Sequence, residues 1–520
     1  MKKTDFDVLI VGGGPGGLTI AALLAKNGIS SAIIEKEDDL GGRYRSITFH
    51  GCRSDNGVRM PTAMARNPKD TYMYKFLDHF GFAPKGTKEI QWTMGMVRPE
   101  LPERIEYFSM DPSKGVGNFF DFFAFGSGVA MEESARQDLA RAFKMFEDMS
   151  EEECRKCVNT SFDDWINQNV HDPLAVMILQ LASPLMGALA TDVNCGQFAN
   201  IFGTFPKVGA LLFWYPSTGT LEDLVITPLK KYYVKQGGAV LTNRTAKNIL
   251  IQDGEATGVI AYNSETRLLE QYAAPIVISA IPIFDALARN ILRREFLTPD
   301  WVEAIENCGK LTFDDLSVFY LLNKEIIPKD GYGWIHLFDP TFIGIPTYVG
   351  DICLGSPLFN AKAPHGKQYL YAYIPGGLPD THFGLTSPPE VVNEAISRWE
   401  DSVERSFPGF KNAIEHKGMS LQLNWGRYAY AKVPTEIDLE SPNIKGLYFA
   451  GDSIWSVSSM VSDKIFQMAF PLCDKIVQYH RSSDFSTKKE QMIMAPMDAW
   501  GGIKDLEVRH TEERPASKKI

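Results

Sequence analysis

Residues 5–43 read DFDVLIVGGGPGGLTIAALLAKNGISSAIIEKEDDLGGR, and the placing of glycine in this stretch decides the fold. DVLIV is short, apolar and rich in β-branched residues, which suits a parallel strand covered on both faces. Past the glycines, Leu18, Ala21, Ala22 and Ala25 recur at helical spacing, and the pattern stops at Asn27-Gly28, a usual helix end. SSAIIEK then reads as a second strand. Within this βαβ unit, Gly12-x-Gly14-x-x-Gly17 has the spacing of a dinucleotide-binding turn. Gly12 allows the tight turn, Gly14 lets backbone approach a pyrophosphate, and Gly17 lets helix pack on strand. Pro15 and Gly16 open the helix, whose free N–H groups and positive dipole end favour an anion. Glu35, followed by Lys36, stands eighteen residues past Gly17, where its carboxylate can accept from both hydroxyls of an adenosine ribose. The stretch is read as the seat of an adenine dinucleotide.

A chain of 520 residues exceeds one typical core, so two domains are expected. Net charge is −11, and no Lys/Arg block is interleaved with aromatics, so the long-range field repels polyanions and nucleic acid is excluded as a partner. The seven cysteines, at 52, 154, 157, 195, 308, 353 and 473, follow no disulfide framework, and glycine interrupts the first apolar run before it can act as a signal segment. A cytoplasmic setting is expected, with peripheral membrane association as the alternative. Residues 173–190 are free of charge but interrupted by Gln180, Ser183, Pro184 and Gly187, and read as a buried kinked helix rather than a span. The polar run 481–520 reads as a mobile tail.

After Glu35 come Gly41-Gly42-Arg43 and Asp55-x-Gly57, in KEDDLGGRYRSITFHGCRSDNGVRMP. With these the sequence resembles the FAD-dependent amine oxidase and phytoene desaturase superfamily. The resemblance continues in YPSTGTLEDLVITPLKKYYVKQGGAVLTNRTAKNILIQDGEATGVIA and ends in NIKGLYFAGDSIWSVSSMVSDKIF. It implies an α/β fold: a Rossmann-like FAD-binding domain, assembled from residues 1–66, 212–287 and 415–480, with an inserted α+β substrate domain from 67–211 and 288–414. It further implies that Gly42 and Arg43 meet the pyrophosphate and that Gly57, Val58 and Arg59 run beside the flavin. The backbone of Ala246 would pair with adenine, Gly451 and Asp452 would hold the ribityl or phosphate end, and Met460 and Val461 would lie in the helix turn aimed at the flavin. Ser459, Met460, Asp463 and Lys464 depart from the small residues usual there, and SIWSVSS lacks the Pro-Gly-rich stretch of carotenoid desaturases.

GVGNFF lacks a third glycine, so a second dinucleotide domain is not expected, and electrons should pass to or from an external quinone, O2 or electron-transfer protein. No metal site is expected: Cys154-Arg-Lys-Cys157 lies in a charged helical stretch without a second cysteine pair. Phe119, Phe120, Phe122, Phe123 and Phe125 are too many for one face and should meet a cavity, a partner, a membrane surface or a doubly buried core. An apolar or amphipathic small-molecule substrate is favoured. Arg59, Tyr430 (with Tyr428) and Trp455 are the candidate catalytic residues, Tyr as proton donor and Arg as a group that polarises a carbonyl. The expected reaction is hydride exchange between FAD and a C–C, C=C or C–N unit. The alternatives are redox-neutral isomerisation or hydration of a double bond, and non-catalytic prenyl binding as in the Rab GDP-dissociation inhibitors.

Overall fold

The computed structural model describes residues 6–56, 67–85, 87–91, 93–98, 101–109, 120–121, 125, 130–185, 190–203, 212–216, 219–310, 312–327, 334–338, 348–354, 363–375, 388–426, 431–455, 457, 463–482, 484–487 and 489. The expected βαβ unit is present as β1 (Val8–Val11), α1 (Pro15–Lys26) and β2 (Ser31–Ile34). Distant segments add β3 (Ala239–Leu241), β4 (Ile276–Ser279) and β5 (Leu447–Phe449). All pairings are parallel, in the order β5-β4-β1-β2-β3, so the first strand of the chain is the centre of the sheet. Every residue of β1, β2 and β4 is buried, which is why these strands read as unbroken apolar runs rather than alternating ones. The closing helix α2 (Asp463–His480) lies against α1 and has Pro471 inside it.

A second sheet has the spatial order Ile414–Gly426, Thr312–Leu322, Gln368–Pro375, Tyr348–Leu354, Trp334–Phe338, Thr93–Arg98 and Leu101–Ser109. Strand Thr312–Leu322 shows how this sheet is shared between two cores. Leu316, Val318, Tyr320 and Leu322 join a core under helix Pro389–Ser406, with Tyr320 stacked on Trp399 at 5.4 Å, whereas Phe319 and Leu321 join the main core. Because Ile414–Gly426 pairs with Thr312–Leu322, it belongs to the inserted part, and the third segment of the dinucleotide domain begins after it rather than at 415. Likewise Leu212–Pro216 pairs with Thr87–Gln91, not with the parallel strands.

Helices between Glu133 and Phe202 form a third unit around Phe143, Phe146, Phe162, Trp165, Phe198 and Phe202. Phe120 is buried against Phe143 and Phe125 lies against Phe108, so these two of the five phenylalanines serve cores; Phe119, Phe122 and Phe123 lie outside the described residues. The apolar stretch from residue 173 forms helix Pro173–Leu185, and among the described residues no helix is long and apolar enough to cross a membrane.

The polar tail is docked at its start, contrary to expectation. Phe485 is buried against Tyr479 and His480 at the end of α2, Lys445 donates to Asp484 Oδ2 at 2.7 Å, and Lys489 donates to Asp7 Oδ1 at 2.6 Å, just ahead of β1.

Candidate dinucleotide site

The glycine turn is built as its spacing demands. Gly12 has φ +103° and donates to the Ile34 carbonyl at 2.9 Å. A Cβ on Gly17 would lie 2.0 Å from the Gly12 carbonyl oxygen, so helix and strand meet at a distance only glycine permits. Two other chain segments reach the same spot. Gly41 donates to the Gly13 carbonyl at 2.8 Å, and a Cβ on Gly42 would stand 3.0 Å from Gly14 Cα. Gly451, at φ +114°, comes so close to the opening of α1 that a Cβ on Gly16 would stand 3.1 Å from its Cα. Three separate stretches, of which only that of Gly451 is distant in sequence, thus enclose the N-terminus of α1 with backbone alone, which leaves its N–H groups room to meet an anion.

Charge is placed around this cradle. Arg43 Nη1 donates to Asp452 Oδ2 at 3.0 Å, joining the GGR turn to the Ala-Gly-Asp turn. Glu35 is buried, and its carboxylate braces the glycine turn: Oε2 accepts from Gly13 N–H at 2.6 Å and Oε1 from Glu37 N–H at 3.0 Å. Its oxygens retain lone pairs for a ribose. Lys36 is in solvent, 3.3 Å from Glu37. Ala246 follows closely on the Glu35 edge, since Arg244 N–H donates to the Glu35 carbonyl at 2.8 Å, and its strand is irregular between Ala246 and Asn248. Gly57, Val58, Arg59, Tyr430, Met460 and Val461 lie outside the described residues.

The segment before Gly57 is anchored to the Gly-rich block at 219–223. Asp55 Oδ1 accepts from Leu221 N–H at 2.8 Å, and Arg53 bonds Glu222 at 3.0 Å and Asp223. Burial pushes the Asp55 carboxyl up to about 7, with Asp223 and Glu222 adding repulsion against the Leu221 N–H bond and Arg53. The hairpin ending at Asp55 also meets the second sheet through Ser54 and Tyr369, whose hydroxyls are 2.8 Å apart, and through Phe49 against Phe319.

Trp455 is the one candidate catalytic residue that is described. Its φ is +56°, its Nε1 donates to Asp438 Oδ1 at 3.0 Å, and Arg155 from the inserted helices lies over its ring at 5.2 Å. Its polar edge is therefore committed to a structural bond, and its ring to a contact between domains. Cys154 and Cys157, on either side of Arg155, form no disulfide; burial pushes the Cys154 thiol up to about 11, so it behaves as an inert core group. Among the described residues no group of three metal-binding side chains is present.

Sequence reasoning missed the significance of Lys464, fully buried beneath the Ala-Gly-Asp turn. Its signal was available: Lys464 shares the i, i+4, i+8 stripe with Met468 and Leu472, where a charge is out of place.

Residues 10–80 match the NAD(P)-binding Rossmann-like domain family. A cyclohexylamine oxidase from Brevibacterium oxydans superposes on 91% of this chain and 100% of its own length, with TM-score 0.58 and 14% identity. The chain has the fold of the amine oxidase and phytoene desaturase superfamily. The dinucleotide of that superfamily is FAD, and the side-chain-free cradle with Arg43 and Glu35 at its rim suits the pyrophosphate and ribose of FAD. Relatives by sequence include all-trans-retinol 13,14-reductase of Danio rerio, 25% identical over 58% of this chain and 50% of its own length. Prolycopene isomerase of Daucus carota is 23% identical over 45% of this chain and 40% of its own. The chain thus matches half or less of the length of these two relatives.

Proposed function

We propose that the protein is an FAD-dependent oxidoreductase that exchanges a hydride with a C–C, C=C or C–N unit of an apolar small molecule. The observation that carries this reading is the convergence of the glycine turn, the GGR turn and the Ala-Gly-Asp turn on the first turn of α1. FAD supplies the hydride acceptance or donation, and the protein supplies binding and orientation. Arg43 and the α1 N–H groups offset the pyrophosphate charge, and Glu35 accepts from ribose. Support for an apolar substrate comes from the names of the relatives, a retinol reductase and a prolycopene isomerase, which point to apolar polyenes.

The test is the visible spectrum of the purified protein followed by anaerobic mixing with retinoid, polyene and amine candidates. Flavin absorption that bleaches with one of them supports the reading; a colourless protein that takes up no FAD overturns it and revives a prenyl-binding role. NADH or NADPH alone should reduce the flavin only slowly, because electrons are assigned to an external acceptor or donor. The similarity to an isomerase favours a second reading, redox-neutral double-bond isomerisation, recognised by product formation without consumption of an acceptor.

A further inference from the structure

α2 begins with two charged residues inside the protein: Asp463 and Lys464 are 0% and 1% exposed. Asp463 caps a helix far away in sequence, its Oδ1 and Oδ2 accepting the N–H groups of Met73 at 2.7 Å and Tyr72 at 3.0 Å. Lys464 serves the cofactor turn instead. Its Nζ donates to the carbonyl of Asp452 at 3.0 Å and to that of Trp455 at 2.5 Å, tying the two ends of the turn together. Trp455 needs such a tie, since φ +56° is a conformation that a large side chain disfavours.

The groups facing Lys464 come from four places: Asp452 on the turn, Glu436 on the segment before it, Arg155 on helix Glu151–Lys156, and Cys308 on helix Pro299–Lys310. The two carboxylates are each engaged by an arginine, Asp452 by Arg43 and Glu436 by Arg155. A charged Lys464 is therefore only partly compensated, and burial draws its ammonium down to about 8.

We infer that Lys464 is the positioning residue of the cofactor turn and the group through which dinucleotide binding takes up a proton. The inference rests on the FAD reading of the site. A pyrophosphate arriving beside Arg43 and Gly451 adds negative charge near Lys464 and favours its ammonium form. By linkage, protonated protein then binds FAD more tightly, and affinity falls as pH rises beyond about 8.

The experiment is titration of FAD into full-length apoprotein from about pH 7 to about pH 9, with calorimetry in two buffers of different ionisation enthalpy. Wild type should show net proton uptake near pH 8.5 and an affinity that drops about three- to tenfold across the range, one pKa unit corresponding to about tenfold. Lys464→Met should bind about fivefold or more weakly at pH 7, from loss of the two bonds to the turn, and lose the added pH dependence. Lys464→Arg should restore much of the affinity while remaining insensitive to pH. Proton uptake unchanged in Lys464→Met, or affinity unchanged in it, overturns the inference. If that variant does not fold, wild-type calorimetry decides: FAD bound without proton uptake overturns it. Wild type that binds no FAD at any pH fails the site reading instead.

Discussion

Arg43 and Asp452 are separated by 409 residues in sequence and by 3.0 Å in space. One belongs to the turn after the second strand and the other to the turn before the last helix, so the pair closes the dinucleotide cradle across the whole length of the chain. Both side chains are partly exposed, and an ion pair in that setting contributes little to the stability of the fold. Its effect is to hold the GGR turn and the Ala-Gly-Asp turn in register.

Removing either partner should therefore affect cofactor more than fold. Arg43→Ala and Asp452→Ala are each expected to lose about 1.5–3 kcal/mol of FAD affinity, the range for a charged hydrogen bond. The melting temperature of the apoprotein should change little. The check is the flavin-to-protein absorbance ratio after purification, together with apoprotein melting.

Substitutions of glycine should rank by the space each one leaves. Gly17→Ala places a methyl group 2.0 Å from the Gly12 carbonyl oxygen and is expected to cost about 3 kcal/mol or more, with loss of FAD. Gly14→Ala meets only Gly42 Cα at 3.9 Å, an ordinary contact, so the fold should survive while approach of the pyrophosphate is hindered. Urea titration separates the two, since only the first should shift the unfolding midpoint strongly.

Asp55 makes stability depend on pH with a definite sign. Its folded carboxyl titrates at about 7, above the ordinary value of 3.8, so the native state holds a proton that the unfolded chain has released throughout that window. Stability from this group therefore falls as pH rises from about 4 to about 7, by a few kcal/mol at most. Asp55→Asn keeps an oxygen for the Leu221 N–H and should be more stable than wild type at about pH 8, the difference closing towards about pH 4. Chemical denaturation at both ends of the range tests this.

The docked start of the tail should contribute to stability. Phe485→Ala is expected to cost about 2–4 kcal/mol. Lys489→Ala should cost less, and mainly at neutral pH: burial alone would raise the Asp7 carboxyl, but Lys489 and Ser30 outweigh it and hold it below its ordinary value. That contribution is present above the unfolded pKa of Asp7 and is lost as pH falls through the folded one. Melting curves at neutral and acid pH should show the difference shrinking on acidification.

The parts legible in the sequence were those with a local period or a fixed spacing. β1, α1, β2 and the three glycines announce themselves within 30 residues, and the Ala-Gly-Asp turn was legible through resemblance. Contacts that join distant segments left no such signal. Nothing near Asp463 shows that it caps Tyr72–His79, and a single phenylalanine in a polar run does not show that residues 484–489 are docked. Residues 415–426 are counted with the dinucleotide domain by resemblance, whereas they pair with Thr312–Leu322, because an edge strand of mixed character reads alike in either sheet.

The position of β1 at the centre of the sheet, with β5 at its edge, governs how the protein can be made. A ribosome delivers the first half of the cofactor seat at once and the last piece only after some 450 residues have been translated. Until then the glycine turn has no Gly451 opposite it, and the nascent chain must wait with an unfinished sheet whose missing strand is the most distant one. Contacts of such long range close slowly. An early stop ahead of β5 thus leaves a chain without Gly451 and Asp452, and one wall of the cradle goes with them.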